Sequence, residues 1–411
     1  MECQNLINTL APCLIDAGWD GDIARFVSIM LGVLAVATFP LLVTIILIWV
    51  ERKFAARIQD RIGPNRVGPY GLIQPLADVV KLIGKENITP AGADRVIYDV
   101  APVFMVMSVL LIWAVVPFSP VHYGIDLEIG ALYFVAVASI GTLAVMMAGW
   151  ASNNKYALLG AFRVVAQLIS YEVPLALGLI VPVMLAGSMS MVGIVEAQAG
   201  MWFVFSAPVA AFLFFISSQA ETGRAPFDLL EAESELVAGF NIEYSGMKFA
   251  MFFAGEFMHV FTNGVLMAVL FTGGWWGPGV LSVPLLGLFY LLAKASFWYL
   301  LSLLMRNALP RVRIDQLMAF NWKFLVPLSI VNLLMMAFLL KVVQEIGLAP
   351  ENPFSFVDNI PQTLVLLAGN IGLILVVLTM FRNQGRRERL AEEALRREIQ
   401  QPKPTVAPVG D

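Results

Sequence analysis

Histidine and cysteine are almost missing from this sequence: 411 residues hold 2 of each. The four are Cys3, Cys13, His122 and His259, and they form no Cys-x-x-Cys pair and no Cys/His cluster. No zinc, haem or iron–sulfur site can be built from this chain alone. Charge is scarce too. Asp, Glu, Lys and Arg make up 14% of the residues, where a soluble domain carries about 25%. The net charge of −4 is small. No basic patch with interleaved aromatics exists, which argues against a nucleic-acid partner. The first 26 residues lack a basic n-region, and the apolar run that follows is too long for a signal peptide's h-region. Ten-residue segments of alternating polarity, the mark of a membrane β-barrel, are absent as well.

What is there in excess is apolar surface, at 59% of residues. A water-soluble core cannot hide that much, because a globular surface must stay largely polar or mixed. The expectation is an all-α integral membrane protein, since helices satisfy every backbone group inside hydrocarbon. A span needs about 20 largely apolar residues. Nine segments qualify: 26–50, 100–118, 130–150, 164–186, 201–218, 249–272, 280–304, 324–343 and 360–381. Of the 26 basic residues, all but Arg25, Lys294 and Lys341 fall in alternate connections or in the tail. Basic residues favour the cytoplasmic side, so the N-terminus is expected outside and the C-terminus in the cytoplasm.

The chain then divides into an external segment 1–25 and a nine-helix domain 26–381. Inside that domain lie two cytoplasmic-side loops, 51–95 and 219–247. A charged helix 382–401 follows, with Arg389/Glu393, Glu392/Arg396 and Glu393/Arg397 at ion-pairing spacing. Residues 402–411 read as disordered. Outside placement permits a Cys3–Cys13 disulfide; two free thiols are an equal reading. Between residues 69 and 86, Leu72, Leu76, Val79, Val80 and Ile83 fall on one stripe, with Gln74, Asp78, Lys81 and Lys85 largely opposite. That segment is too short to span and reads as an amphipathic interfacial helix.

Charges in mid-membrane cost about 2.5–3.5 kcal/mol on insertion scales, so each is a functional candidate. Glu172, Glu256, His259 and Lys294 are such residues. Glu256-x-x-His259 resembles half of a carboxylate-bridged metal motif, but the second half is missing, so no metal is expected. Lys294 reads either as the partner of a buried carboxylate or as a participant in proton movement. The densest acidic run is Glu221, Arg224, Asp228, Glu231, Glu233, Glu235 and Glu243, within 23 residues. Such a run is usually a solvated loop. Here apolar flanks draw part of it inward, and crowded, desolvated carboxylates can bind and release protons near neutrality. The segment ERKFAARIQDRIGPNRVGP, from Glu51, holds two Gly-Pro pairs that forbid a regular helix and fix a turn.

Long stretches of this sequence resemble the H-type membrane component of proton-translocating NADH:quinone oxidoreductase, respiratory complex I, a family that includes the mitochondrial ND1-type component. They are ERKFAARIQDRIGPNRVGPYGLIQPLADVVKLIGKE, RVVAQLISYE, ETGRAPFDLLEAESELVAGFNIEYSGMKFAMFFAGEF, and RNALPRVRIDQLM before WKFLVPL. The resemblance implies a subunit that forms the membrane side of a quinone chamber, docks a peripheral redox arm and links quinone reduction to proton translocation in a bacterial inner membrane. It implies that Glu51, Arg52, Arg57, Gln59, Asp60, Arg61, Gly63, Pro64, Arg66, Leu72 and Leu76 line or edge that chamber. Glu172, Glu221, Glu231, Glu233, Glu235, Glu243 and Glu256 would carry protons, with Arg224, Asp228, His259, Lys294, Arg306, Arg311, Arg313 and Asp315 as supporting polar groups. Ubiquinone or another quinone would be the substrate. FMN and iron–sulfur clusters would belong to partner subunits, and this chain would bind no cofactor alone. Two rivals remain: the related component of a membrane-bound hydrogenase, and a free-standing ion transporter, against which no internal repeat is found.

Overall fold

The computed structural model describes residues 10–400, apart from 17, 229–238, 349, 351 and 353. Cys3, the Cys13 side chain, Glu231, Glu233, Glu235 and segment 402–411 lie outside the described residues, as do the glutamates of the expected tail ion pairs. In chain order the α-helices are α1 (Leu10–Asp16), α2 (Gly21–Ile58), α3 (Gln74–Ile83), α4 (Arg95–Trp113), α5 (Gly130–Ala151) and α6 (Lys155–Ala186). Then come α7 (Met191–Glu196), α8 (Phe203–Ser206), α9 (Pro208–Glu221), α10 (Gly246–Phe271) and α11 (Leu285–Ala308). The last are α12 (Ile314–Phe320), α13 (Val326–Ile346) and α14 (Phe356–Gln400). A wide π-type turn, Asn321–Leu325, joins α12 to α13.

Among the described residues, eight helices are long and apolar enough to cross a membrane, which makes the chain a polytopic all-α membrane protein. The expected fifth span, 201–218, is not among them, because it is divided: α8 and α9 meet at Ala207, whose backbone (φ −137°, ψ 60°) leaves the helical region. Pro208 opens α9 at a position where its missing N–H costs nothing. The break still leaves backbone groups to satisfy. The buried amide of Asn370, on α14, donates to the Ser206 carbonyl at 3.2 Å and accepts from the Val209 N–H at 3.4 Å. Thr363, earlier on the same helix, meets the Ser206 hydroxyl at 3.2 Å. The expected charged helix 382–401 is not separate, because α14 runs unbroken from Phe356 to Gln400.

Proline inside α4 and α6 frees the carbonyl four residues earlier. Two of the three carbonyls freed in this way accept from distant side chains. The Tyr98 carbonyl, freed by Pro102, accepts from the Tyr244 hydroxyl at 3.2 Å. The Ser170 carbonyl, freed by Pro174, accepts from Asn321 at 2.7 Å. Small residues let α5 and α6 approach closely, as membrane helices without a hydrophobic driving force require. A Cβ on Gly149 would stand 2.3 Å from the Ala161 Cβ, and one on Gly160 would stand 2.7 Å from the Gly239 backbone.

Helix α10 is the axis of the bundle, packed against α4, α9 and α11 and buried along most of its length. Alternate connections gather at one end. There Lys248 at the start of α10 pairs with Asp99 of α4, and the Asp94 N–H bonds the Ala151 carbonyl at the end of α5. At the other end, the Ala131 N–H of α5 bonds the Met189 carbonyl after α6. The basic connections counted in the sequence therefore share one end of the bundle.

Candidate functional site

At that basic end three helices and the turn after α9 bring their charges together. Glu51, near the end of α2, is buried. Its Oε2 accepts from Arg224 Nη1 at 2.6 Å and from the Tyr299 hydroxyl at 3.3 Å. Its Oε1 pairs with Arg306 Nη1 at the end of α11. Arg224 is as deeply enclosed: its Nε lies 3.6 Å from Glu256 Oε1, and its guanidinium sits 4.5 Å from the centre of the Phe257 ring. Burial alone would weaken the proton's hold on Arg224, but the charges of Glu51 and Glu256 outweigh it and push the guanidinium up. A buried ion pair must recover its desolvation through geometry and added hydrogen bonds. Two carboxylates, a hydroxyl and an aromatic face do so here, although Arg224 Nη2 finds no hydrogen bond.

The turn carrying Arg224 is held from both sides. Gln167 on α6 donates to the Ala220 carbonyl at 2.7 Å and to the Phe227 carbonyl at 2.9 Å, clamping the loop's two ends. The Val312 N–H donates to the Pro226 carbonyl at 3.0 Å. The Ala225–Pro226 peptide is cis, and Gly223 takes a positive φ of 61° that favours glycine.

Behind this cluster lies a cavity of about 30 Å³, lined by Glu221, Thr222, Glu256, His259 and Thr142 among others. That is room for two or three waters, at roughly 10–15 Å³ each. Glu221 Oε1 and His259 Nε2 are 3.8 Å apart. Glu172 on α6 accepts from Ser139 of α5 at 2.6 Å and is within electrostatic reach of Glu221. Two of the carboxylates expected to carry protons, Glu221 and Glu256, thus line one cavity, and Glu172 acts on the first of them from beyond its wall.

The 51–85 segment lies on the outer side of the same end. Gly63, Gly68 and Gly71 take φ of 69°, 73° and 77°. At Gly71 the turn has no room for a Cβ, which would stand 2.3 Å from the Pro64 carbonyl oxygen. Arg52 ties α2 to α3 through Asp78 at 2.6 Å, and Lys81 approaches the same carboxylate at 3.5 Å. Partial burial would raise the Asp78 carboxyl, but the hydrogen bond and charge of Arg52, helped by Lys81 and Gln74, hold it below its ordinary value. Arg57, Gln59, Asp60, Arg61 and Arg66 are exposed, as are Leu72 and Leu76. All seven lie on the surface of this chain.

The remaining expected residues scatter. Glu243 accepts from Asn154 at 2.7 Å, and its carbonyl accepts from Tyr98 at 2.7 Å, so it anchors the far end of the acidic loop. Arg313 and Asp315 pair at 3.7 Å on the surface. Arg311 and Asp228 are half-buried and engaged. Lys294 is at the opposite end of the bundle. Its ammonium donates to the Gly274 and Trp276 carbonyls at 3.0 and 2.8 Å and lies 4.8 Å from the Trp202 ring centre. The expectation of a buried carboxylate partner for Lys294 is thus corrected, because carbonyls past the end of α10 supply the negative ends of their dipoles. Among the described residues no group of three or more His, Cys, Asp or Glu could hold a metal ion. Tyr299, Gln167 and Thr222 were not singled out from sequence. Nothing in a span marks a tyrosine as a hydrogen-bond donor to a carboxylate 248 positions away.

Known proteins resemble this chain over most of its length. The sequence model of the family described as NADH dehydrogenase matches residues 31–337, and α14 lies beyond that match. The H-type component of the NADH-quinone oxidoreductase of Dehalococcoides mccartyi (strain CBDB1) is 44% identical over 343 residues, covering 84% of this chain and 91% of the relative. One from Syntrophobacter fumaroxidans is 47% identical over 320 residues, 76% of this chain and 95% of the relative. One from Geobacillus kaustophilus is 44% identical over 328 residues, 78% and 95% respectively.

Proposed function

This chain belongs to the NADH dehydrogenase family of membrane proteins, together with the H-type components of NADH-quinone oxidoreductases, and from that premise we propose how its residues serve a quinone-reducing, proton-translocating complex. The chain is a multi-pass membrane subunit of a hetero-oligomeric oxidoreductase. Its exposed 51–85 segment forms the membrane-side wall of the quinone chamber, and partner subunits supply the facing wall. Arg52, Arg57, Arg61 and Arg66 offer cations to a quinone headgroup as it gains electrons. Leu72, Leu76, Val80 and Ile83 of α3 are exposed and edge an entrance open to lipid. FMN and iron–sulfur clusters sit in the partners. The basic end faces the cytoplasm, as the positive-inside rule requires.

The observation that carries this reading is Arg224, shared between Glu51 at 2.6 Å and Glu256 at 3.6 Å. Glu51 adjoins the chamber wall, next in sequence to the Arg52 that holds α3. Glu256 lines the cavity with Glu221 and His259. Protonation or charge change near Glu51 loosens its hold on Arg224 and favours the Arg224–Glu256 pairing. Two arrangements of one guanidinium then bias the charge of the carboxylates behind it. Moving one charge through the membrane field costs about 2.3 kcal/mol per 100 mV, so several carboxylates share the work: Glu221, Glu256 and Glu172, with Glu231, Glu233 and Glu235 from the same acidic stretch of sequence. The complex is therefore a translocase as well as an oxidoreductase.

A photoreactive quinone analogue tests the chamber assignment in the assembled complex. Label is expected between Glu51 and Lys85 and should be competed away by unmodified quinone. Label confined to other parts of the chain would sink the assignment.

A further inference from the structure

His259 stands out because the surrounding protein gives it so little. It sits half-buried on α10, one turn past Glu256, so the two side chains project to the same side. Its Nε2 is sealed from the surface, has no hydrogen-bond partner, and lies 3.8 Å from Glu221 Oε1. Glu221 Oε2 is likewise buried without a hydrogen bond. A gap of 3.8 Å is too long for a direct hydrogen bond, and both groups open on the same water-sized cavity as Glu256. Buried polar atoms are normally satisfied, so an unpartnered atom on each of two neighbouring groups that line one cavity points to a transferable species between them.

We infer that His259 is a proton-transfer residue linking Glu221 to Glu256 across this cavity, an inference that rests on the proton-path reading above. A water donates a proton to one ring nitrogen and takes one from the Glu221 carboxyl. The other ring nitrogen then releases its proton toward Glu256. One proton enters and one leaves, the imidazole returns to neutrality, and no electrons move. Imidazole suits the step because its two nitrogens can receive and release on opposite sides. The charged and titratable groups around it are Glu221 at the end of α9, Glu256 on its own helix, and Glu172 from α6 beyond Glu221, with Arg224 behind Glu256. The walls from α4 and α5, Met105, Ala138, Gly141, Thr142 and Val145, add nothing that titrates.

The test uses the whole complex in proteoliposomes, with NADH-driven proton translocation followed across pH. His259→Gln should assemble and turn over about tenfold or more slowly, the scale of a lost acid–base group. It should also lose one inflection of the pH profile. His259→Ala, which enlarges the cavity, should be partly rescued by added imidazole. Wild-type rate and profile in His259→Gln would overturn the link. So would a slow variant with an unchanged profile and no imidazole rescue, since that is packing alone. If Gln prevents assembly, the same readings on His259→Asn decide. Glu221→Gln and Glu256→Gln are run in parallel. Wild-type behaviour in those two would defeat the proton path itself, whereas defects there with a normal His259→Gln would defeat only the histidine.

Discussion

The two ends of the bundle bury charge in opposite ways. At the far end Lys294 is a lone cation, settled by two carbonyls and an indole face. Nearby Gln198 is equally settled, donating to the Val269 carbonyl at 2.8 Å and accepting from the Gly273 N–H at 2.9 Å. At the basic end, Glu51, Arg224, Arg306 and Glu256 share partners, and Glu221 and His259 hold atoms with no partner beside a cavity. Fixed dipoles that satisfy a charge completely make a structural site. Partners that can be redistributed make a site whose state can change.

The largest expected effect comes from breaking that sharing. Arg224→Met leaves Glu51 with one cation fewer and takes from Glu256 the guanidinium beside it, and losing one partner of a buried pair costs about 3–5 kcal/mol. Assembled complex in membranes should fall sharply, and quinone reduction with it. Asn370→Leu ranks next. It strips the Ser206 carbonyl and Val209 N–H at the break in the fifth span, at about 1–3 kcal/mol for buried groups left unpaired. The thermal midpoint of the detergent-extracted complex should drop, more so than in a Leu364→Ala control on the exposed side of the same helix. Lys294→Met should cost about 1–2 kcal/mol by the same principle and leave the ratio of protons moved to NADH oxidised unchanged. A changed ratio would erase the contrast between the ends. The smallest effect is at Arg52–Asp78. Asp78 is held below its ordinary 3.8, so the bridge's stability is fully present above that value and is lost as pH falls through the lowered one. Arg52 is exposed and Asp78 only half-buried, so water screens the pair and no more than about 1 kcal/mol is at stake. Asp78→Asn should remove this acid dependence from a melting-versus-pH series.

The spans were legible because hydrocarbon permits few solutions: a run such as 130–150 returns as α5, Gly130–Ala151. Helix ends were less so. Helix α2 continues past the apolar run to Ile58, and α6 begins at Lys155, nine residues before the apolar run taken from sequence. Polar residues at a membrane boundary lower the hydropathy without ending the helix. The break at Ala207 left only Pro208 as a trace, and its remedy, Asn370, lies 161 residues from Val209. The site was legible as a set of unusual charges but not as a network. Glu51 and Arg224 are 173 positions apart, and no local pattern pairs them. His259 and Arg224 read as supporting groups because spacing shows which residues share a helix face, not which carboxylate the next helix brings. Only the assembled bundle separates Glu243, tied to Asn154, from Glu221, which faces the cavity.

The central claim is that the carboxylates behind Arg224 couple quinone reduction to proton movement. It is tested most directly by a Glu221→Gln/Glu256→Gln double variant of the assembled complex in proteoliposomes, with protons translocated and NADH oxidised measured together. The expected result is a complex that assembles but has lost most of its proton translocation, with quinone reduction slowed in step. Translocation at the wild-type ratio and rate would contradict it.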